Sequence, residues 1–100
     1  MENEKKVEDL EEIFKALSNP NRLKIIYIIS KKENKSTTVT EITKTMKITQ
    51  PAASQHLKIL KTVKILESKK EGNNIYYKIN DQTVSTRKKE IDTLFTLILK

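Results

Sequence analysis

Cysteine and tryptophan are absent from these 100 residues, which hold one histidine, one glycine and two prolines. Without cysteine there is no disulfide framework, no thiolate metal site and no cysteine nucleophile. A single histidine does not make a zinc or copper site, which needs several histidine, cysteine or carboxylate ligands at close spacing. No metal and no cofactor is therefore expected. The chain also lacks a glycine-rich phosphate loop and any Ser/His/Asp arrangement at recognisable spacing, so an enzyme is not expected. Acidic neighbours such as Glu11-Glu12 read as solvated charge on a helix. Long apolar runs are missing too. The longest bulky one, Ile25 to Ile29, falls far short of the ~20 residues that span a bilayer. The opening MENEKKVEDLEE is acidic and polar where a secretory signal starts basic and turns apolar. The expectation is a soluble cytoplasmic protein with no membrane partner.

What is abundant is lysine. The formal net charge is +7, with 36% hydrophobic and 33% charged residues. Residues 1–17 carry 3 Lys against 6 Asp/Glu, whereas residues 47–80 carry 7 Lys against 2 Glu. A basic excess concentrated in the middle of a chain points to a polyanionic partner, most often nucleic acid, or else to a lysine-rich surface kept for solubility. The length fits one domain, residues 1–100, and the modest apolar content gives a small core that pairing with a second copy would help.

Helical stripes come first. Val7, Leu10, Phe14 and Leu17 recur at i, i+3, i+7 and i+10, predicting an amphipathic helix over residues 7–17. Ser18-Asn19-Pro20 ends it and starts another, with Asn19 as N-cap and Pro20 in the first turn, where its missing N–H costs nothing. The run from Pro20 to about Lys31 is so apolar that it belongs in the core. Its Ile-Ile-Tyr-Ile-Ile centre would also suit a strand, but the flanking helical signals favour a helix. After a polar loop, Thr37-Thr38-Val39 reads as a short strand. Thr40 reads as the N-cap of a third helix, with Glu41 in its first turn and an end near Lys47.

The stretch TQPAASQHLKILK, Thr49 to Lys61, opens with a capping threonine and a proline. On a wheel of about 100° per residue, Gln50, Lys61, Ser54, Lys58, Pro51 and Gln55 fall between about 0° and 140°. Ile59, Ala52, Val63, His56, Leu60, Ala53 and Leu57 fill the arc from about 180° to 340°. One side packs; the other presents amides, a hydroxyl and two lysines. In a major groove, glutamine pairs with adenine N6 and N7, serine adapts to either edge, and lysine reaches guanine or phosphate. His56 lies in the apolar arc, where a partly buried imidazole bonded to a neighbouring helix competes with base contact as its role. Two short helices joined by a tight turn over residues 40–62 make a helix-turn-helix, although the glycine often seen in such turns is missing.

Ile65 to Lys70 and Ile75 to Asn80 read as two strands over residues 65–80, joined by Glu71-Gly72-Asn73-Asn74, with the chain's only glycine where positive φ is needed. Ile75, Tyr77 and Ile79 alternate with Tyr76 and Lys78, so one face is expected to pack. A last helix over residues 83–99 carries Ile91, Leu94, Phe95 and Ile98 at i, i+3, i+4 and i+7. So apolar an end to a small protein needs covering. The fold class expected is mainly α with a small β-hairpin, a winged helix-turn-helix.

The segments ALSNPNRLKII (Ala16 to Ile26), VTEI (Val39 to Ile42), TQPAASQHLKILK and EGNNIYYKIND (Glu71 to Asp81) resemble the ArsR/SmtB family of prokaryotic winged-helix repressors. The similarity covers about residues 10 to 81, in the family's order and spacing. It implies a homodimer built through the first and last helices, here Val7, Leu10, Phe14, Ile91, Leu94, Phe95 and Ile98. It also implies a double-stranded DNA operator of inverted-repeat form. The DNA-binding residues expected are Thr49, Gln50, Ser54, Gln55, His56, Lys58 and Lys61, with Lys69, Lys70 and Asn73 in the wing. Two departures stand out. The family's cysteine and Asp/His/Glu metal sets are absent, so a small apolar ligand at the dimer seam, a protein partner, or no effector stays open. Where many members have glycine before two apolar residues, this chain has Lys64-Ile65-Leu66. A winged-helix interaction module that binds an acidic protein or structured RNA is the alternative function.

Overall fold

The computed structural model describes residues 2–100, with side chains from Glu4 onward. The order is α1 (Glu2–Leu17), α2 (Pro20–Ser30), β1 (Ser36–Thr37), α3 (Val39–Met46), α4 (Gln50–Thr62), β2 (Leu66–Glu71), β3 (Asn74–Ile79) and α5 (Asp81–Leu99). Asn19 starts α2 as its spacing to Pro20 predicts: its Oδ1 accepts the N–H groups of Asn21 at 2.9 Å and Arg22 at 3.1 Å. The Ile-rich run is a helix, with Ile25 and Ile29 one turn apart and both fully buried. Around them pack Ile13 and Ala16 of α1, Ile42 of α3, Ala53, Leu57 and Leu60 of α4, and Ile65 and Leu66 at the start of the wing.

The third helix begins earlier than Thr40. Thr38 is its N-cap, extended at φ −111° and ψ 165°, and its Oγ1 accepts the Glu41 N–H at 3.2 Å. A threonine caps best when the acidic residue lies three positions on, and Thr38-x-x-Glu41 has that spacing where Thr40-Glu41 does not. The short strand accordingly moves back to Ser36–Thr37. It pairs antiparallel with β3, Ser36 opposite Lys78 and Thr37 opposite Tyr77, so the sheet has three strands in the order β1-β3-β2. Thr37 is fully buried, and its hydroxyl lies 3.3 Å from the Thr38 carbonyl and 3.4 Å from the Lys32 ammonium. The last helix also begins earlier, at Asp81, because Asn80 caps it by accepting the Thr83 N–H at 3.2 Å.

Lysine stands where glycine was missed. Lys47 ends α3 at φ 56° and ψ 41°, and Lys64 follows α4 at φ 66°. Beyond α4 the Ile65 N–H bonds the Leu60 carbonyl at 3.1 Å and the Lys64 N–H bonds the Lys61 carbonyl at 2.9 Å. These are the paired 6→1 and 5→2 bonds of a Schellman end. The turn thus keeps the shape glycine would give it, with an L residue in the left-handed region that costs about 1–2 kcal/mol.

Arg22 ties three helices together. Its Nε donates to the Ala16 carbonyl at 2.6 Å, at the end of α1, and its Nη1 lies 3.4 Å from Nδ1 of His56 on α4. Nδ1 can accept from a guanidinium only when it carries no proton. Burial first, and then the positive charge of Arg22, hold the His56 pKa below its ordinary value.

Two consequences are measurable. Lys64→Gly should stabilise the protein by about 0.5–1 kcal/mol in urea unfolding, the relief of the left-handed backbone exceeding the entropy that glycine adds to the unfolded chain. Lys64→Val should destabilise it, and no gain from glycine would contradict the assigned strain. The second concerns pH. Because the folded pKa of His56 is lowered, the unfolded chain takes up the proton at higher pH. The associated stability is fully present above about 6.5 and is lost as pH falls through the folded value. His56→Asn, which keeps an acceptor near Nδ1, should flatten unfolding stability between about pH 7 and pH 5.5, above the carboxylate range.

Candidate nucleic-acid interface

The interface is built on α4. Thr49 caps it from an extended backbone, φ −71° and ψ 156°, its Oγ1 accepting the Ala52 N–H at 3.3 Å. Pro51 occupies the first turn, where no N–H is needed. Ala53, Leu57 and Leu60, at i, i+4 and i+7, have no exposure at all. With that stripe fixed inward, the helical period turns Gln50, Gln55, Lys58 and Lys61 out to solvent. Ser54 lies at the margin, half-buried. Thr49 is exposed, but its hydroxyl is occupied by capping. His56 is half-buried against Arg22, the packing role that its wheel position allowed.

The wing extends beside it. In β2–β3 the register sets Leu66 opposite Ile79, Ser68 opposite Tyr77 and Lys70 opposite Ile75, so these six share one face. Near the core Leu66 is buried and Tyr77 and Ile79 pack, but Ile75 is 47% exposed at the far end. The packing expected of the whole Ile75–Tyr77–Ile79 face therefore stops short of the tip, because the strands outrun the helices that would cover it. The turn is Gly72-Asn73, with φ +61° at Gly72 and no positive φ at Asn73, the pattern of a II′ connection. Lys69 is 3.4 Å from Glu71 and Lys78 is 3.5 Å from Glu67, so much of the other face neutralises itself. Among the described residues Lys58, Lys61 and Lys70 have no ion-pair partner. Lys69, Lys70 and Asn73 are all exposed.

The structure adds cations that the sequence left unmarked. Lys47 and Lys64 are exposed at the two ends of α4, each projecting from a left-handed turn. The only advance signal was a helix stop without its glycine.

The residues expected to pair two copies divide into two sets. Val7, Leu10, Phe14 and Leu94 line one groove of about 520 Å³ between α1 and α5, and Leu97 extends the same surface. Phe95 and Ile98 are 54% and 64% exposed. Ile91, half-buried, lines a separate open hollow of about 250 Å³ with Ile13, Leu17, Ile26, Ile65 and Val84. At its edge Arg87 pairs with Glu90 and lies 3.6 Å from Asp9 of α1. Among the described residues, none of α5 is buried. No helix there is long and apolar enough to cross a membrane, and no three His, Cys, Asp or Glu side chains converge on a common point.

Known proteins match this architecture. The family described as bacterial regulatory protein, arsR family, matches residues 19–68, from the N-cap of α2 into the wing. An HTH-type transcriptional regulator of Methanocaldococcus jannaschii is 42% identical over 78 residues, covering 77% of this chain and 85% of its own length. A cadmium resistance transcriptional regulatory protein CadC homolog of Staphylococcus aureus is 34% identical over 76% of the chain, which spans 61% of that relative. The crystal structure of the transcriptional repressor PagR of Bacillus anthracis superposes with a TM-score of 0.65 at 38% identity, covering 74% of this chain and 82% of that one. A homodimeric winged helix-turn-helix DNA-binding domain from Mycobacterium bovis has the same fold, with a TM-score of 0.71 at 23% identity, covering 94% and 84%. Helix-turn-helix, wing and relatives agree: the chain belongs to the bacterial ArsR family, and it is a winged helix-turn-helix transcriptional regulator rather than an enzyme.

Proposed function

We propose that this protein is a homodimeric repressor that binds an inverted-repeat operator without thiolate metal sensing. The observation that carries the reading is the division of α4: a fully buried stripe beneath Gln50, Gln55, Lys58 and Lys61, which are exposed side by side. Each protomer would lay α4 in a major groove, with Gln50, Gln55 and Ser54 at base edges and Thr49 beside the backbone. Lys58 and Lys61 would meet phosphates, as would Lys69, Lys70 and Asn73 of the wing. His56 acts from behind, holding α4 to Arg22.

Pairing rests on the uncovered apolar surface. Val7, Phe14, Leu94, Phe95 and Ile98 are all 36% exposed or more, on two helices that pack against each other. A helix with no buried residue in its own protomer has weak reason to stay ordered alone. Ile91 would join the seam from the second apolar hollow. Similar proteins include the transcriptional repressor PagR of Bacillus anthracis, and the neighbour from Mycobacterium bovis is a homodimeric DNA-binding domain, which supports the reading.

The test begins with an operator selected from random duplex and confirmed by footprinting upstream of the gene. Gln55→Ala should relax preference at particular base pairs by about 1–3 kcal/mol per lost contact. Lys70→Ala should weaken binding to every sequence alike and reduce the salt slope by about one. Equal losses on operator and scrambled duplex from both changes would defeat the assignment and favour an acidic-protein or RNA partner. Leu94→Glu with Phe95→Glu should convert the dimer to monomers in sedimentation. It should also weaken operator binding while leaving the helical circular dichroism of residues 20–79 in place. Operator affinity unchanged in such monomers would refute the paired mode.

A further inference from the structure

Most large apolar side chains exposed on this protein lie on α1 and α5, where a second copy would cover them; Ile75 does not. It stands at the wing tip, 47% exposed, one residue past the turn-flanking Asn74 and directly across the ladder from Lys70. The two side chains leave the same face of the hairpin, the face that nearer the core holds Leu66, Tyr77 and Ile79. Beyond Tyr77 that face opens to solvent, with Lys70 and Ile75 both exposed. The Gly72 turn itself is open on the side a side chain would occupy.

An aliphatic side chain paired with an unneutralised lysine fits the minor groove better than it fits bulk water. Lysine is drawn to the enhanced negative potential of a narrow groove, and isoleucine is among the apolar residues used as wedges against base steps. The minor-groove floor of A·T pairs bears only acceptors, whereas G·C adds the guanine N2 amino group, a donor standing up from the floor. Isoleucine can accept no hydrogen bond, so a guanine beneath it would lose its water partner without replacement.

Resting on the operator-binding reading above, we propose that Ile75, beside Lys70, is a specificity residue of the wing. It lies in the minor groove flanking each half-site and disfavours G·C pairs there. The wing so selects flanking sequence by exclusion, while α4 selects the half-site by contact.

The experiment keeps the selected operator core fixed and varies the base pairs just outside it among A·T, G·C and inosine·C, which has the major-groove face of G·C but lacks the N2 amino group. Wild-type protein should bind A·T and inosine·C flanks about equally and G·C flanks about fivefold more weakly or worse. Ile75→Asn, whose amide oxygen can accept from guanine N2, and Ile75→Ala should each shrink that ratio toward one. Lys70→Ala should weaken all three duplexes together. The proposal is overturned if wild type shows no flank preference, if inosine·C behaves as G·C does, or if the ratio survives both Ile75 changes. A half-site substitution in the core, measured alongside, separates the cases: if its effect persists while the flank ratio is flat, the wing assignment fails alone. If it too has no effect, operator recognition itself has failed.

Discussion

Ala53, Leu57 and Leu60 are sealed from solvent against Ile25, Ile29 and Ile42, and that contact sets the rotation of α4 about its own axis. In the proposed binding mode, recognition would turn on that rotation. A helix advances about 100° per residue, so fixing three inward positions fixes every outward one. A turn of one residue's worth would bury a glutamine amide without partners and expose a leucine, each unfavourable by about 1–3 kcal/mol. The buried stripe thus holds Gln50, Gln55, Lys58 and Lys61 as a set, although it touches none of the atoms they would read.

The ends of α4 hold its position along the axis. Thr49 closes one end through the Ala52 N–H, and the Lys64 turn closes the other through Leu60 and Lys61 carbonyls. Leaving lysines in left-handed turns at residues 47 and 64 sacrifices some stability. It also sets two cations at the rims of the helix, where a polyanion would pass. Phosphate contacts add affinity without sequence preference, so in the proposed mode discrimination would fall to the amide and hydroxyl groups between them.

Charge and apolar surface are kept apart. The acidic, apolar-striped α1 and the unburied α5 form one face; the basic α4 and wing form another. Arg22 spans the distance between them, one edge on the Ala16 carbonyl of α1 and another on His56 of α4. Self-neutralised pairs on the outer face of the wing, Lys69 with Glu71 and Lys78 with Glu67, leave Lys70 as the cation that faces the same side as Ile75.

Much of this was legible in the chain itself, because the signals are local. The 3.6-residue stripes of Val7 to Leu17 and Thr49 to Val63, the caps at Asn19 and Thr49, and the glycine turn at Gly72 each depend on residues within a few positions. Two local features were displaced: Thr38 took the cap from Thr40 by accepting the backbone N–H of Glu41, three residues on, and lysines took backbone shapes that composition assigns to glycine. The rest of what escaped depends on contacts across space. Ile91 and Leu94 share one stripe yet line different hollows, since only the packing of α5 on its neighbours decides which hollow a side chain joins. Ile75 looks like core by alternation and is not, because periodicity records which face a side chain joins but not how far the neighbouring helices reach. Sequence alone determined the elements, their faces and the family resemblance; tertiary structure decided where each face ends, since burial is set by distance in space rather than along the chain.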